Sequence, residues 1–177
     1  EEIRQTRAER LSVTEAIVTT EATLPGSIPI IGETKRVSFR PDFKSEEFRP
    51  HVEYLASDEL RGRSGLSAQA TAKYVEKHFQ SLNLQPLFDG EYLQVIPGPT
   101  REDGTKTVYG QNVGAWLPGN DPKLRDEFVI VSAHYDHLGA RNGEFFPGAD
   151  DNASGTSMVL EVARKFASLE KRPARSM

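Results

Sequence analysis

Cysteine is absent from this 177-residue chain. Disulfides and thiolate metal sites are thereby excluded, so any metal must be held by histidine and carboxylates. Dense runs of Lys or Arg are missing too: 22 basic residues face 26 acidic ones, for a formal net charge of -4. That argues against a nucleic-acid partner, whose phosphates select a clustered basic patch. No apolar run approaches the roughly 20 residues that span a bilayer, and no transmembrane segment is expected. The opening Glu1-Glu2-Ile3-Arg4 has no signal-peptide core, and it lacks Met, in keeping with a leader removed upstream. Internal repeats and low-complexity tracts are also absent.

What is there is the composition of a folded protein, 37% hydrophobic and 27% charged, with enough length for one domain and a core. Residues 1–44 carry the breakers Leu24-Pro25-Gly26, Ile28-Pro29 and Phe39-Arg40-Pro41, and read as an arm or linker with a short helix near 4–18. Residues 45–177 read as the domain. Phe48, Val52 and Leu55 lie at helical spacing behind Ser45, a candidate N-cap, with Pro50 near the first turns. A second helix is expected over about 67–82, with Ala72, Val75, Phe79 and Leu82 on one face and Asn83 and Pro86 ending it.

Strand signals follow at 92–96, ended by Pro97-Gly98-Pro99, and on both sides of Gly110 within 105–117. Phe128-Val129-Ile130-Val131 reads as a strand buried on both faces. A last helix is expected over about 154–169, burying Val159, Val162, Phe166 and Leu169. The alternation predicts an α/β fold, a sheet flanked by helices.

The buried strand would end in Ser132-Ala133-His134-Tyr135-Asp136-His137, and in α/β sheets ligands bind at the carboxyl ends of strands. His134 and Asp136 are two apart, so on a strand they share a side. They supply a metal ligand and the group that orients its ring. His137 reads as a loop histidine, and His51 and His78 as structural residues on helices with no cluster around them. Downstream, Pro147-Gly148-Ala149-Asp150-Asp151-Asn152-Ala153-Ser154-Gly155 opens the last helix, where carboxylates suit both capping and the positive end of the helix dipole. One Asp of this pair is expected to face the strand-end cleft and meet the metal held by His134.

Together, the run from Phe128 to Gly155 closely resembles metallopeptidase family 28, which includes aminopeptidase Y and bacterial leucyl aminopeptidases. Leu55-Ala56-Ser57-Asp58-Glu59-Leu60-Arg61-Gly62-Arg63, the stretch 81–86, and Gln111-Asn112-Val113 resemble the same family's front half. The resemblance covers about residues 48–175. It implies a mixed, largely parallel sheet flanked by helices, the zinc-exopeptidase or phosphorylase/hydrolase-like fold. His134 would be a terminal zinc ligand, Asp151 would bridge two zincs, and Asp136 would be the catalytic-site residue orienting His134. The Asp136-His137 peptide bond would be cis. Two metals would polarise a peptide carbonyl and activate a water, with a Glu as general base.

In this family the glutamate pair follows the next strand, so a truncated domain is expected: the N-terminal half of a zinc aminopeptidase, inactive alone and holding one zinc or none. Glu161 and Glu170 read as solvated or salt-bridged. The expected partners are a peptide substrate and the C-terminal half of the domain. The alternative is a non-catalytic fragment or binding module of the same fold. A secreted or periplasmic location is favoured by the resemblance alone.

Overall fold

A computed structural model describes residues 43–177. The arm expected over 1–44, with its helix near 4–18, falls outside the described residues apart from its last two positions.

Helix α1 spans Ser45–Leu55. Ser45 is its first helical residue rather than its cap; its hydroxyl turns to Glu46 at 3.2 Å. Pro50 lies inside the helix. Helix α2 spans Leu66–Ser81 and buries Ala72, Val75 and Phe79, as its periodicity predicts. It ends where Asn83 takes a left-handed φ of 54°. The Leu84 N–H then bonds the Phe79 carbonyl (3.2 Å) and the Asn83 N–H the Gln80 carbonyl (3.0 Å). This closing pair satisfies the last carbonyls and folds Leu84 onto Phe79 in the core.

Strand β1 (Gln85–Pro86) pairs antiparallel with β4 (Ala115–Trp116), and β2 (Leu93–Thr100) with β3 (Lys106–Val113). The Pro97-Gly98-Pro99 stretch does not end β2. The strand continues through it with a shifted register, because a proline on an edge strand forfeits no ladder bond that a bulge cannot spare. A short hairpin, β5 (Ala140–Arg141) with β6 (Glu144–Phe145), follows. The fold is thus mixed α/β, with ladders that are antiparallel and two-stranded among the described residues. Among the described residues, parallel pairing is confined to a single bridge between Phe128 and Ser176. None of the described helices is long and apolar enough to cross a membrane.

The segment 128–131 differs most from its reading as a doubly buried strand. Ile130 is 84% exposed and its neighbours are open as well. A run of this composition needs flanking strands to cover it, and here it has the Ser176 bridge alone. Helix α3 spans Ser154–Ala167. Its most buried residues are Thr156, Ser157, Leu160 and Glu161; Val159 and Phe166 are half-buried against the core, as expected, and with Val162 they line an apolar groove of about 480 Å³ shared with segment 128–131. Leu169 is exposed.

Leu160 of α3 packs on Val75 and Phe79 of α2, while polar groups link α3 to α1. Glu161, 1% exposed, accepts three bonds from the Arg164 guanidinium at 2.7–3.1 Å. Arg164 also reaches Glu47 on α1. His51 lies 3.6 Å from Glu161, shares a 2.7 Å hydrogen bond with the Tyr74 hydroxyl, and packs edge-on against His78. His51 and His78 therefore belong to a cluster, contrary to their reading as isolated. Glu161 is salt-bridged but not solvated.

Burial, then the proximity of His78, lowers the His51 pKa from its ordinary 6.5; Glu161 pulls it up and Arg164 down. The unfolded chain therefore takes up the proton first as pH falls below about 6.5, and stability drops as the pH descends toward the folded-state value. The thermal midpoint should decline over that range. His51→Gln should remove part of the slope, and midpoints that fall in parallel for both proteins would exclude His51 as a source.

Candidate functional site

The backbone around His134 is held from three sides. Its carbonyl accepts the Thr156 hydroxyl of α3 at 3.0 Å. The Tyr135 hydroxyl donates to the Gln111 carbonyl of β3 at 2.6 Å. The His137 N–H donates to the Arg63 carbonyl at 3.1 Å and the Gly139 N–H to that of Gly62 at 3.0 Å. Gly62 and Gly139 are needed for this approach: a Cβ on Gly62 would sit 2.8 Å from the Gly139 carbonyl oxygen.

The second loop, residues 148–153, enters α3 from the left-handed Gly148. Asp151 and Asn152 have non-helical dihedrals, and the peptide bond between them is cis. The cis bond expected at Asp136-His137 thus lies elsewhere, at Asp151-Asn152. Asn152 is the residue of this stretch that caps: its side-chain oxygen accepts the Gly155 N–H at 3.1 Å. Ala153 is fully buried against Leu55 and Leu60, which fixes the end of the loop and leaves Asp151 free to turn outward.

Asp151 meets two histidines. One carboxylate oxygen is 3.1 Å from His134 Nε2 and the other 3.5 Å from His137 Nδ1. His137, read from sequence as a loop residue, is largely buried, its side chain only 10% exposed. Asp136 orients His134 by its main chain: the carbonyl lies 3.1 Å from Nδ1, while its carboxylate is 3.6 Å away. With the Nδ1 proton given to that carbonyl, Nε2 presents either a second proton or a bare lone pair to Asp151. With a proton on Nε2 the contact is a hydrogen bond to the carboxylate; with a lone pair there, both atoms are free to take a cation. The side chains of His134 and Asp151 remain more than half exposed, so a ligand can enter. An open cleft of about 610 Å³ adjoins His134, lined in part by Tyr109, Gln111 and Asn112; Asp151 does not line it.

His134 Nε2 and Asp151 Oδ1 fit two vertices of a zinc tetrahedron, whose ligands are nitrogen and oxygen in such sites. Among the described residues, no three His, Cys, Asp or Glu side chains form a group that could hold a metal. The donor set fits zinc in kind and supplies part of a shell.

Beneath both loops lies Arg63, which sequence reasoning passed over. It is 0% exposed. Its guanidinium donates to the carbonyls of Tyr135 (2.7 Å), Leu55 (2.6 Å), Pro147 (2.6 Å), Gly148 (2.8 Å) and Asp151 (3.3 Å). Burial pulls its pKa down from the ordinary value, while Asp151 and Asp136 push it back up. Its position in the Arg61-Gly62-Arg63 loop was visible, but arginine is usually exposed, and nothing local marks one as buried.

Residues 112–177 match the sequence profile of peptidase family M28. A probable leucine aminopeptidase of Trichophyton verrucosum is 25% identical over 154 residues, covering 83% of this chain and 41% of that protein. Aminopeptidase YwaD of Bacillus subtilis is 49% identical over 43 residues, 24% of this chain and 8% of that protein. The chain thus spans less than half the length of either relative. A glutaminyl cyclase of Tannerella forsythia superposes with a TM-score of 0.46 at 19% identity, covering 77% of this chain and 46% of that one.

Proposed function

We propose that this chain, which belongs to peptidase family M28, contributes the first metal ligands of a zinc-dependent exopeptidase that removes N-terminal residues from peptides. The observation that carries the reading is His134 Nε2 turned onto the Asp151 carboxylate at 3.1 Å, with Nδ1 facing the Asp136 carbonyl. His134 is read as a terminal ligand and Asp136 as its orienter. Asp151 is read as the bridge between two ions, because its two oxygens face different histidines. When bound, zinc would polarise the scissile carbonyl and acidify a water. The chain's own residues hold the ligands and shape the cleft beside β3 in which a peptide would lie.

On this reading, segment 128–131 is the central strand of a largely parallel sheet whose remaining strands lie outside these residues. The Glu base and the later ligands would come from there as well, so these 177 residues alone would hold a single zinc, through His134 and Asp151, and would not turn over peptide.

Zinc content, measured by elemental analysis of wild type and His134→Ala after dialysis, tests the site. Aminoacyl-nitroanilide hydrolysis, measured on this chain and on the chain extended by its natural downstream sequence, tests the activity. Zinc should be lost in the variant, and chelator-sensitive hydrolysis should appear only in the extended protein. Equal zinc in wild type and variant would remove His134 from the site, and an extended protein without hydrolysis would leave a binding module.

A further inference from the structure

We infer that Arg63 is a positioning residue for the metal site: one buried guanidinium sets the spacing between the loop that carries His134 and the loop that carries Asp151. The inference rests on the zinc reading above. Arg63 has five N–H donors, and each finds a carbonyl. The acceptors belong to three separate stretches. Tyr135 adjoins His134; Pro147, Gly148 and Asp151 form the second loop; Leu55 ends α1.

No other side chain can replace this fork. Lysine has one nitrogen and three donors around a point, and cannot span carbonyls arrayed along a plane. The backbone of the same residue continues the work, since the Arg63 carbonyl receives the His137 N–H at 3.1 Å. The second loop is fitted to the guanidinium from its own side. A Cβ on Gly148 would lie 2.7 Å from Arg63 Nη2 and 2.5 Å from the His137 ring, at a φ of +58° that already disfavours a side chain.

Charge and position predict opposite outcomes, which makes the role separable. A buried positive charge beside Asp136 and Asp151 repels an incoming cation, so charge alone would have Arg63→Gln bind zinc more tightly. Positioning predicts weaker binding in both Arg63→Gln and Arg63→Lys, by at least about tenfold, the usual range for groups that orient metal ligands.

The test is zinc affinity of the 177-residue chain, measured by competition with a chromophoric chelator well below the thermal midpoint. The cobalt(II) absorption spectrum serves as a report of ligand geometry. Phe79→Ala, in the core away from the site, supplies a destabilised control that should keep wild-type zinc affinity and cobalt spectrum. Should Arg63→Lys fail to fold, Arg63→Gln decides alone, since position predicts weaker zinc binding there and charge predicts tighter. Tighter zinc binding in Arg63→Gln, wild-type affinity in folded Arg63→Lys, or an equal loss in Phe79→Ala would overturn the inference. A wild-type chain that binds no zinc would instead overturn the metal reading, and this inference with it.

Discussion

Asp151→Ala is expected to weaken zinc binding by on the order of 100-fold or more, a change of about 3 kcal/mol, whereas Asp150→Ala should stay within about twofold of wild type. The two residues are adjacent and chemically identical, so the contrast isolates geometry. Asp151 places one oxygen 3.1 Å from His134 and the other 3.5 Å from His137. Asp150 is bound into the start of α3 by its main chain, through the Ser154 hydroxyl on its carbonyl at 3.0 Å, and that bond survives truncation of the side chain. Titration with zinc under chelator competition gives both values. Comparable losses in the two variants would mean that general negative charge, rather than a directed ligand, attracts the metal.

The second large effect concerns stability. Arg164→Ala should destabilise the fold by about 3 kcal/mol, because it leaves the Glu161 carboxylate buried without its partner. Glu161 is 1% exposed and loses three guanidinium bonds at once. Arg164 itself is about one-third exposed, which places the effect at the lower end of the range for buried pairs. The ion pair to Glu47 would go as well, loosening α1 from α3. Adding Glu161→Gln to Arg164→Ala removes the uncompensated charge and should recover part of the loss. Urea unfolding of the single and double variants measures this, and a double variant no more stable than Arg164→Ala would show that the loss comes from packing of the arginine stem.

These groups also mark where sequence stops being informative. Helices α1, α2 and α3 were legible because their apolar spacing is local, and the end of α2 because Asn83 needs no distant partner to turn left-handed. His134, Asp136 and Asp151 stood out by chemistry and spacing, and the structure brings all three together. What was hidden depends on partners far along the chain. Arg63 meets Tyr135 and Asp151, and His51 meets Glu161 on another helix. His137 looked like a loop residue because its burial comes from the Gly148 loop and from Arg63. Helix α3 carries two candidate faces, one apolar and one with Leu160 flanked by small and polar groups. Periodicity selects the apolar one, whose Val159 and Phe166 do pack on the core, but it misses the other, which Glu161's ion pairs hold against α1. The run 128–131 reads as doubly buried because composition reports what a strand needs, not whether the neighbours that would meet that need are present.

The β5–β6 hairpin has a further consequence. Its tip, Asn142-Gly143, turns with both φ values positive, 52° and 85°, as a two-residue hairpin requires. Its base is clamped, with the Phe146 N–H on the Gly139 carbonyl at 3.0 Å and Gly139 against Gly62. Lengthening or rewriting the tip therefore leaves the strands below it, and the ligands they flank, in register. Such a hairpin gives natural variation somewhere to act: insertions at its tip can change the surface there, while Gly62 and Gly139 keep the backbone at its base in place.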